Sequence, residues 1–328
     1  MLAVIFDQPA ADGSATRVGE VEVPVAGPGE VTIDVRAAGV NFIDVMARRG
    51  DPGYATSWPF VPGLEAAGTI RALGPGVDGL EVGMPVVAFT TAGGLAEVVK
   101  VPARLVSPIP AGLTFETAAA VPGTLTTAVL LLRSLRPGGS VLVHSAGGGL
   151  GQALARVARR QGAGLILGTV GHSSRSAGAE RAGYDAVLVR DDELSAAVMR
   201  RTEGRGVDLI LDSQGTKWID KDLELVAPTG RIMLYGNASG AALDAIPTGR
   251  LFATNAMVGA FSMRGLAARA PWLIAEAQSE ALAAVARGEL PVEVTPLEGL
   301  QQVAAAQQAL AEGRGEGKYV VTLQSRAD

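Results

Sequence analysis

Residues 144–151 read HSAGGGLG, set between the apolar run SVLV and the amphipathic run QALARVARRQG. So much glycine at one bend suits a strand that must turn sharply into a helix while an anion sits against the turn. N–H groups at a helix N-terminus lack partners inside the helix and carry a partial positive charge, which attracts phosphate. In the spacing Ser145-x-x-Gly148-x-x-Gly151, Gly148 lets the backbone approach a diphosphate and Gly151 lets the helix pack on the strand. The expected seat is Ser145, Gly148, Gly149, Leu150 and Gly151, with a dinucleotide as ligand; a tight turn without a ligand is the alternative. An NAD site carries an acidic side chain on the ribose about 20 residues further on. Here that region reads GTVGHSSRS, with no Asp or Glu between Leu165 and Ala179. Gly171, Ser174 and Arg175 suit a 2′-phosphate, held by charge-assisted hydrogen bonds, so NADPH is the expected cofactor.

Other side chains with chemical potential are few. Cysteine is absent and the two histidines are His144 and His172. Thiolate metal sites are excluded, and two histidines make no catalytic zinc centre, so no metal is expected. His144 reads as a strand-end core residue rather than a catalyst. Tyr54, in DPGYATSWPF, is the candidate proton donor or substrate-stacking residue, the alternative being a tyrosine packed on the surface. Trp58 and Phe60 line an apolar pocket or, as the ordinary reading, pack in a core. Asp191, Asp192 and Glu193 open a helix, an ordinary placement of charge.

The elements that must position these groups follow from periodicity. The first third reads as short strands punctuated by Gly/Pro turns: Met1–Phe6, the alternation of Val31, Ile33 and Val35, then Ala66–Ala72, Pro85–Phe89, Ala96–Val101 and Leu105–Ile109. A small barrel or partly open sheet is expected there. A helix is predicted over Thr124–Leu135. Beyond it, apolar runs at Val141–His144, Leu165–Thr169, Ala186–Val189, Leu209–Asp212, Arg231–Tyr235 and Ala256–Gly259 alternate with helical stretches. That order predicts a doubly wound parallel sheet. Helices near Pro271–Arg287 and Leu300–Ala311 and a strand at Tyr319–Leu323 leave the alternation and are expected to complete the first domain. The expected division is 1–120, 121–260 and 261–328.

At 328 residues, 48% hydrophobic and 19% charged, the chain has the composition of a soluble globular protein. A net charge of −5 argues against a nucleic-acid partner. The start, MLAVIFDQPA, lacks the marks of a secretory signal, and no uninterrupted apolar stretch of about 18 residues is apparent. A cytoplasmic protein without a membrane partner is expected.

Several stretches in order resemble the medium-chain dehydrogenase/reductase superfamily, and within it the zinc-free quinone oxidoreductases. They are AAGVNFIDVMARRG at 37–50, VPGLEAAGTI at 61–70, VHSAGGGLG at 143–151, GTVGHSSR at 168–175, LILDSQG at 209–215 and YGNASG at 235–240. The resemblance implies an α/β fold, in which a GroES-like β-rich catalytic domain built from both chain ends accompanies a Rossmann domain, and a homodimer. It implies that Asn41 and Asp44 of NFID line the cleft near the nicotinamide as catalytic candidates; read from the residues alone, Asp44 is a proton relay, an orienter of Asn41 or a helix cap. It places Thr126 and Asn237 at the nicotinamide and adds Arg314 to Arg175 at the 2′-phosphate. The chain departs from the family pattern at Ser145, where alanine is usual, at Met46 and Val189, where tyrosine is usual, and at Gln214 of Asp212-Ser213-Gln214-Gly215, where valine is usual. Gly63-Leu64-Glu65 stands where zinc-dependent relatives have Gly-His-Glu. The expected activity is NADPH-dependent, zinc-independent reduction of a quinone or related conjugated carbonyl. The alternatives are an enoyl or enone reductase, as in secondary metabolism, and a catalytically weak structural or RNA-binding protein.

Overall fold

The computed structural model describes residues 1–323 except Thr56, Pro247 and Glu316. The chain divides into two compact units, Met1–Thr127 with Leu266–Asp328, and Ala128–Gly265. In chain order the strands are β1 (Leu2–Phe6), β2 (Thr16–Glu20), β3 (Glu30–Gly39), β4 (Glu65–Leu73), β5 (Pro85–Phe89), β6 (Val98–Pro102) and β7 (Val106–Pro108). The second unit holds β8 (Ser140–His144), β9 (Leu165–Val170), β10 (Ala186–Val189), β11 (Val207–Asp212), β12 (Val226–Leu234) and β13 (Met257–Ala260). Strands β14 (Val294–Glu298) and β15 (Lys318–Thr322) return to the first.

In the first unit seven strands form one sheet in the order β14-β15-β3-β4-β5-β7, with β6 also paired to β3, while β1 and β2 form a separate antiparallel pair. Strand β15 lies antiparallel to β3, with Val320 opposite Gly39, so the last strand is seated beside the one that leads into Asn41. The helix Phe42–Arg49 follows and closes on Gly50 in the left-handed conformation. Helical backbone then runs from Phe115 to Leu132 and widens into a π-helical turn at Val121–Thr126. The predicted helix Thr124–Leu135 is therefore displaced: it starts at Phe115, behind the cap of Thr114, and stops at Leu132. The stretch Phe115–Leu132 also has the length and apolarity to cross a membrane, contrary to the expectation that no segment does; 72% of it is buried, as in a core helix. The predicted strand Leu105–Ile109 is shortened to β7, because Ala103–Leu105 takes a 3₁₀ turn. Strands β2 and β14 carry little apolar alternation and were not predicted.

The second unit is the expected doubly wound sheet. Its strands are all parallel, in the order β10-β9-β8-β11-β12-β13. Counted from β8 this is 3-2-1-4-5-6, and the order reverses between β8 and β11, the place where such sheets take dinucleotides. The central strands β8, β9 and β11 are almost wholly buried, as expected of a parallel sheet covered on both faces. Leu142, Leu167, Ile210 and Ile232 from four strands meet Leu194, Val198, Ile219 and Leu223 from two helices in one buried cluster.

Candidate functional site

In the second unit the glycine turn leaves the end of β8, and its glycines answer to different demands. A Cβ on Gly151 would lie 2.4 Å from the carbonyl oxygen of Ser145 and 2.7 Å from that of Ala146, so only glycine lets the helix Gly149–Arg160 pack this close to the strand end. The Tyr184 hydroxyl locks the contact by donating to the Gly151 carbonyl at 2.5 Å. A Cβ on Gly148, by contrast, would meet nothing nearer than 3.5 Å, and Gly148 has an ordinary extended backbone (φ −74°, ψ 164°). Nothing among the described residues of the unit requires glycine there. Gly148 is exposed, and Gly149, Leu150 and Gly151 after it occupy the first helical turn, whose N–H groups have no intrahelical acceptors, an arrangement able to receive an anion.

The turn after β9 carries the second group of expected residues. Gly171, Ser174 and Arg175 are exposed there, on a 3₁₀ turn capped by His172, whose Nδ1 accepts from the Ser174 N–H at 3.2 Å. Arg190, at the end of β10, reaches the same place: its Nη2 lies 3.3 Å from where a Gly171 Cβ would stand. Its Nη1 donates to Thr169 Oγ1 at 3.1 Å. Burial holds Arg190 below the usual arginine range, and the like charge of Arg175 adds to that. Two guanidinium groups thus flank an exposed turn with no carboxylate in its sequence, a composition suited to a phosphate. Arg190 carries no motif or spacing signal in the sequence.

Beneath the turns lies a buried polar cluster. His144 is fully buried, with Nε2 2.9 Å from Asp222 Oδ1, Nδ1 2.7 Å from Thr169 Oγ1, and its ring stacked on Trp218. Burial alone lowers the His144 pKa, but the charge and hydrogen bond of Asp222 and the charge of Asp212 outweigh it and raise the value. Burial pushes Asp212 up to about 6, opposed by His144, by the Gln214 N–H and by Arg190. His144, Asp212 and Asp222 offer atoms within 4.8 Å of one another, as a metal would require. His144 faces both carboxylates and Arg190 faces Asp212, so basic groups of the protein itself stand opposite these acids. His144 acts here as a core residue under the strand end.

Asn237 follows β12, beside the turn after β11, where Gln214 and Asn237 form an isolated bridge. Its amide is engaged in its own loop, Nδ2 donating to the Ala241 carbonyl at 2.8 Å and Oδ1 accepting from Ser239 at 2.9 Å.

In the first unit, Asn41 and Asp44 are joined as a helix cap. The Asn41 N–H donates to Asp44 Oδ2 at 2.8 Å and the Gly63 N–H to Asp44 Oδ1 at 3.1 Å. Burial raises the Asp44 pKa to about 7, against the pull of these two N–H groups and of Lys318. The Asn41 side chain is clamped from both ends. Its Nδ2 donates to Glu65 Oε1 at 2.8 Å, and its Oδ1 accepts from Lys318 Nζ at 2.6 Å. Glu65 and Lys318 are themselves a buried ion pair, and Lys318 Nζ also donates to the Val40 carbonyl at 3.2 Å. The second Glu65 oxygen accepts from the Gly123 N–H at 2.5 Å, which ties the π-helical turn to the same carboxylate. That turn carries Thr126, wholly buried, whose Oγ1 has no hydrogen-bond partner among the described residues.

Asn41 and Asp44 are thus gathered around Glu65 and Lys318, with the turn that carries Thr126 tied to Glu65 through Gly123, and neither Glu65 nor Lys318 was expected to act. The available signals were a glutamate opening the apolar run EAAGTI and a lysine opening KYVVT. Tyr54 sits half-buried in the turn after the helix Phe42–Arg49. Trp58 packs edge-on against Phe60, and Phe60 against Phe6, so these two aromatics serve a core. Arg314 is exposed and paired with Glu312.

Comparison with known proteins agrees with this architecture. Residues 27–111 match the model of the alcohol dehydrogenase GroES-like domain, and residues 149–279 that of the zinc-binding dehydrogenase family. The human synaptic vesicle membrane protein VAT-1 homolog-like is 38% identical over 222 residues, covering 66% of this chain and 52% of that protein. The chain thus spans about half the length of the curated relatives it first matches. A Streptomyces venezuelae polyketide synthase component, PikAII, is 33% identical over 309 residues, 92% of this chain and 8% of that protein. Among solved structures, human VAT-1 homolog-like protein superposes with a TM-score of 0.86 at 30% identity, over 100% of this chain and 99% of the other. The Escherichia coli quinone oxidoreductase complexed with NADPH gives 0.89 at 26% identity, over 98% and 100%.

Proposed function

We propose that this chain, which belongs to the medium-chain dehydrogenase/reductase superfamily and to its quinone oxidoreductase-like family, is an NADPH-dependent reductase of quinones or related conjugated carbonyl compounds. The observation that carries the reading is the contrast within one turn. Gly151 is required by the protein's own packing, whereas Gly148 is free of that requirement and lies where the strand order reverses. In this reading the N–H groups of Gly149, Leu150 and Gly151 receive the diphosphate, with Ser145 and Gly148 shaping the turn. Gly171, Ser174 and Arg175 take the 2′-phosphate, joined by Arg190 and assisted by Arg314. Thr126, with its unpartnered hydroxyl, and Asn237 serve the nicotinamide end. NADPH, when bound, supplies the hydride.

The protein's own work is to bind and orient. Asn41, held by Glu65 and Lys318, is a fixed polar group for the reacting carbonyl. Asp44 holds the helix start on which Asn41 sits. Tyr54 is the proposed proton donor. Glu65 is already neutralised by Lys318, which supports chemistry independent of zinc. A cytoplasmic homodimer belongs to the same proposal.

The match to a polyketide synthase over 92% of this chain favours a second reading, reduction of an enoyl substrate. One assay decides: NADPH consumption with naphthoquinone and phenanthrenequinone beside 2-alkenals and enoyl-CoA esters. Turnover of quinones is expected. Turnover of the enoyl compounds alone selects the second reading, and failure to retain NADPH or NADH at millimolar supply ends both.

A further inference from the structure

Ser145 and Gln214, two of the residues that depart from the family pattern, touch. Gln214 Nε2 donates to Ser145 Oγ at 2.8 Å, and the Ser213 hydroxyl donates to the same oxygen at 3.0 Å. Ser145 lies on the turn after β8 and Gln214 on the turn after β11, so the bonds cross the point where the strand order reverses. All three side chains are half-buried. With the usual alanine and valine at these positions neither bond could form. We infer that Ser145, Ser213 and Gln214 form a polar staple that positions the diphosphate turn and couples it to the loop carrying Asn237.

Three observations support a positioning role. Ser145 has φ +62°, a left-handed conformation disfavoured for a non-glycine residue, so its side-chain bonds help hold a turn that the backbone alone does not favour. The Gln214 backbone is anchored from below, its N–H donating to Asp212 Oδ1 at 2.6 Å. The adjoining loop is tied in by the Ala238 N–H, which donates to the Ser213 carbonyl at 2.8 Å, and by the bridge between Gln214 and Asn237. A shift of Ser145 therefore moves a connected set of backbone groups at the ends of three strands.

The inference rests on the proposed cofactor reading and makes a separable demand of it. The diphosphate is common to NADPH and NADH, so loss of the staple should weaken both alike. Dissociation constants for both cofactors, and Michaelis constants for cofactor and acceptor, should be measured for Ser145→Ala, Gln214→Leu, the double variant and Ser145→Gly. Each single variant is expected to weaken both cofactors by the same factor, roughly three- to tenfold, as for loss of one or two neutral hydrogen bonds. The cofactor KM should rise while the acceptor KM holds. The double variant should bind no worse than the weaker single, because both disrupt one interaction. Ser145→Gly, which relieves the left-handed conformation, should bind as poorly as Ser145→Ala if the hydroxyl is what matters. Unchanged binding in the singles, or a double variant equal to their product, overturns the staple. Wild-type protein that retains neither cofactor overturns the cofactor reading instead.

Discussion

The surroundings of Asn41 and the turn after His144 solve the same problem by different means. Around Asn41 a side chain is fixed by charge: a buried glutamate and a buried lysine face each other and share its amide. At the turn after His144 a backbone is fixed by shape and neutral hydrogen bonds: no side chain at Gly151, a hydroxyl cap from Tyr184, and the amide of Gln214 on Ser145. A charge clamp is costly to half-remove and tolerates little. A turn held by sterics and weak bonds can be adjusted residue by residue. The first arrangement suits a group that must present one orientation, the second a seat whose affinity is tuned.

The largest expected effect comes from breaking the clamp. Lys318→Met leaves Glu65 buried without its counter-charge, and loss of one partner of a buried pair costs about 3–5 kcal/mol. Urea denaturation should show that loss, and Glu65→Gln combined with Lys318→Met should recover most of it. A single variant as stable as wild type would mean that water reaches Glu65 and the clamp is not buried in solution.

Next comes the pH dependence of the same corner. Asp44 is raised from 3.8 to about 7, chiefly by burial, so between those values the folded chain keeps a proton that the unfolded chain has lost. Its contribution is fully present below about pH 4 and is lost as pH rises through 7. Relative to Asp44→Asn, wild-type stability should fall across that window, by an amount on the order of a few kcal/mol, and run parallel above it. Denaturation midpoints that stay parallel from pH 4 to 8 would place Asp44 in contact with solvent.

How much of each region was legible in the sequence follows from the range of the forces that build it. The turn after His144 is local, and its spacing, its strand and its helix stand together in the chain, so it could be read directly. NFID was legible for the same reason. The clamp was not, because Lys318 meets Asn41 across 277 positions, through the pairing of β15 with β3. No periodicity announces such a pair. Similarly, Ser145 and Gln214 each stood out against the family pattern, but their contact across 69 positions appears only when β8 and β11 lie side by side. The helix start at Phe115 lies ahead of the predicted Thr124 because Pro122 and Gly123 read as breakers in the sequence, whereas the fold absorbs them in the π-helical turn Val121–Thr126.

A smaller effect sharpens the second region at its phosphate end. Arg175→Ala should weaken NADPH by about ten- to a hundredfold, the range for a hydrogen bond to a charged group, and leave NADH nearly unchanged. Fluorescence titration of both cofactors measures it. An equal loss for both would move Arg175 away from the 2′-phosphate and leave Arg190 as the arginine to test.

The finest distinction lies between two glycines three residues apart. Gly151→Ala drives a Cβ to 2.4 Å from the Ser145 carbonyl oxygen, a backbone atom that cannot swing aside. Overpacking of this kind costs about 1–3 kcal/mol, and the thermal midpoint should fall. Gly148→Ala meets no atom within 3.5 Å and keeps a backbone conformation that alanine accepts, so stability should fall by less than about 1 kcal/mol, mostly from the poorer helix cap. Cofactor affinity should reverse the order of the two. The added methyl at 148 points into space the protein leaves free, and binding of NADPH and NADH should drop together by tenfold or more while the fold persists. If Gly148→Ala binds both cofactors as wild type does, the free space above the turn is not where the diphosphate lies, and the reading of this turn as a phosphate seat fails with it.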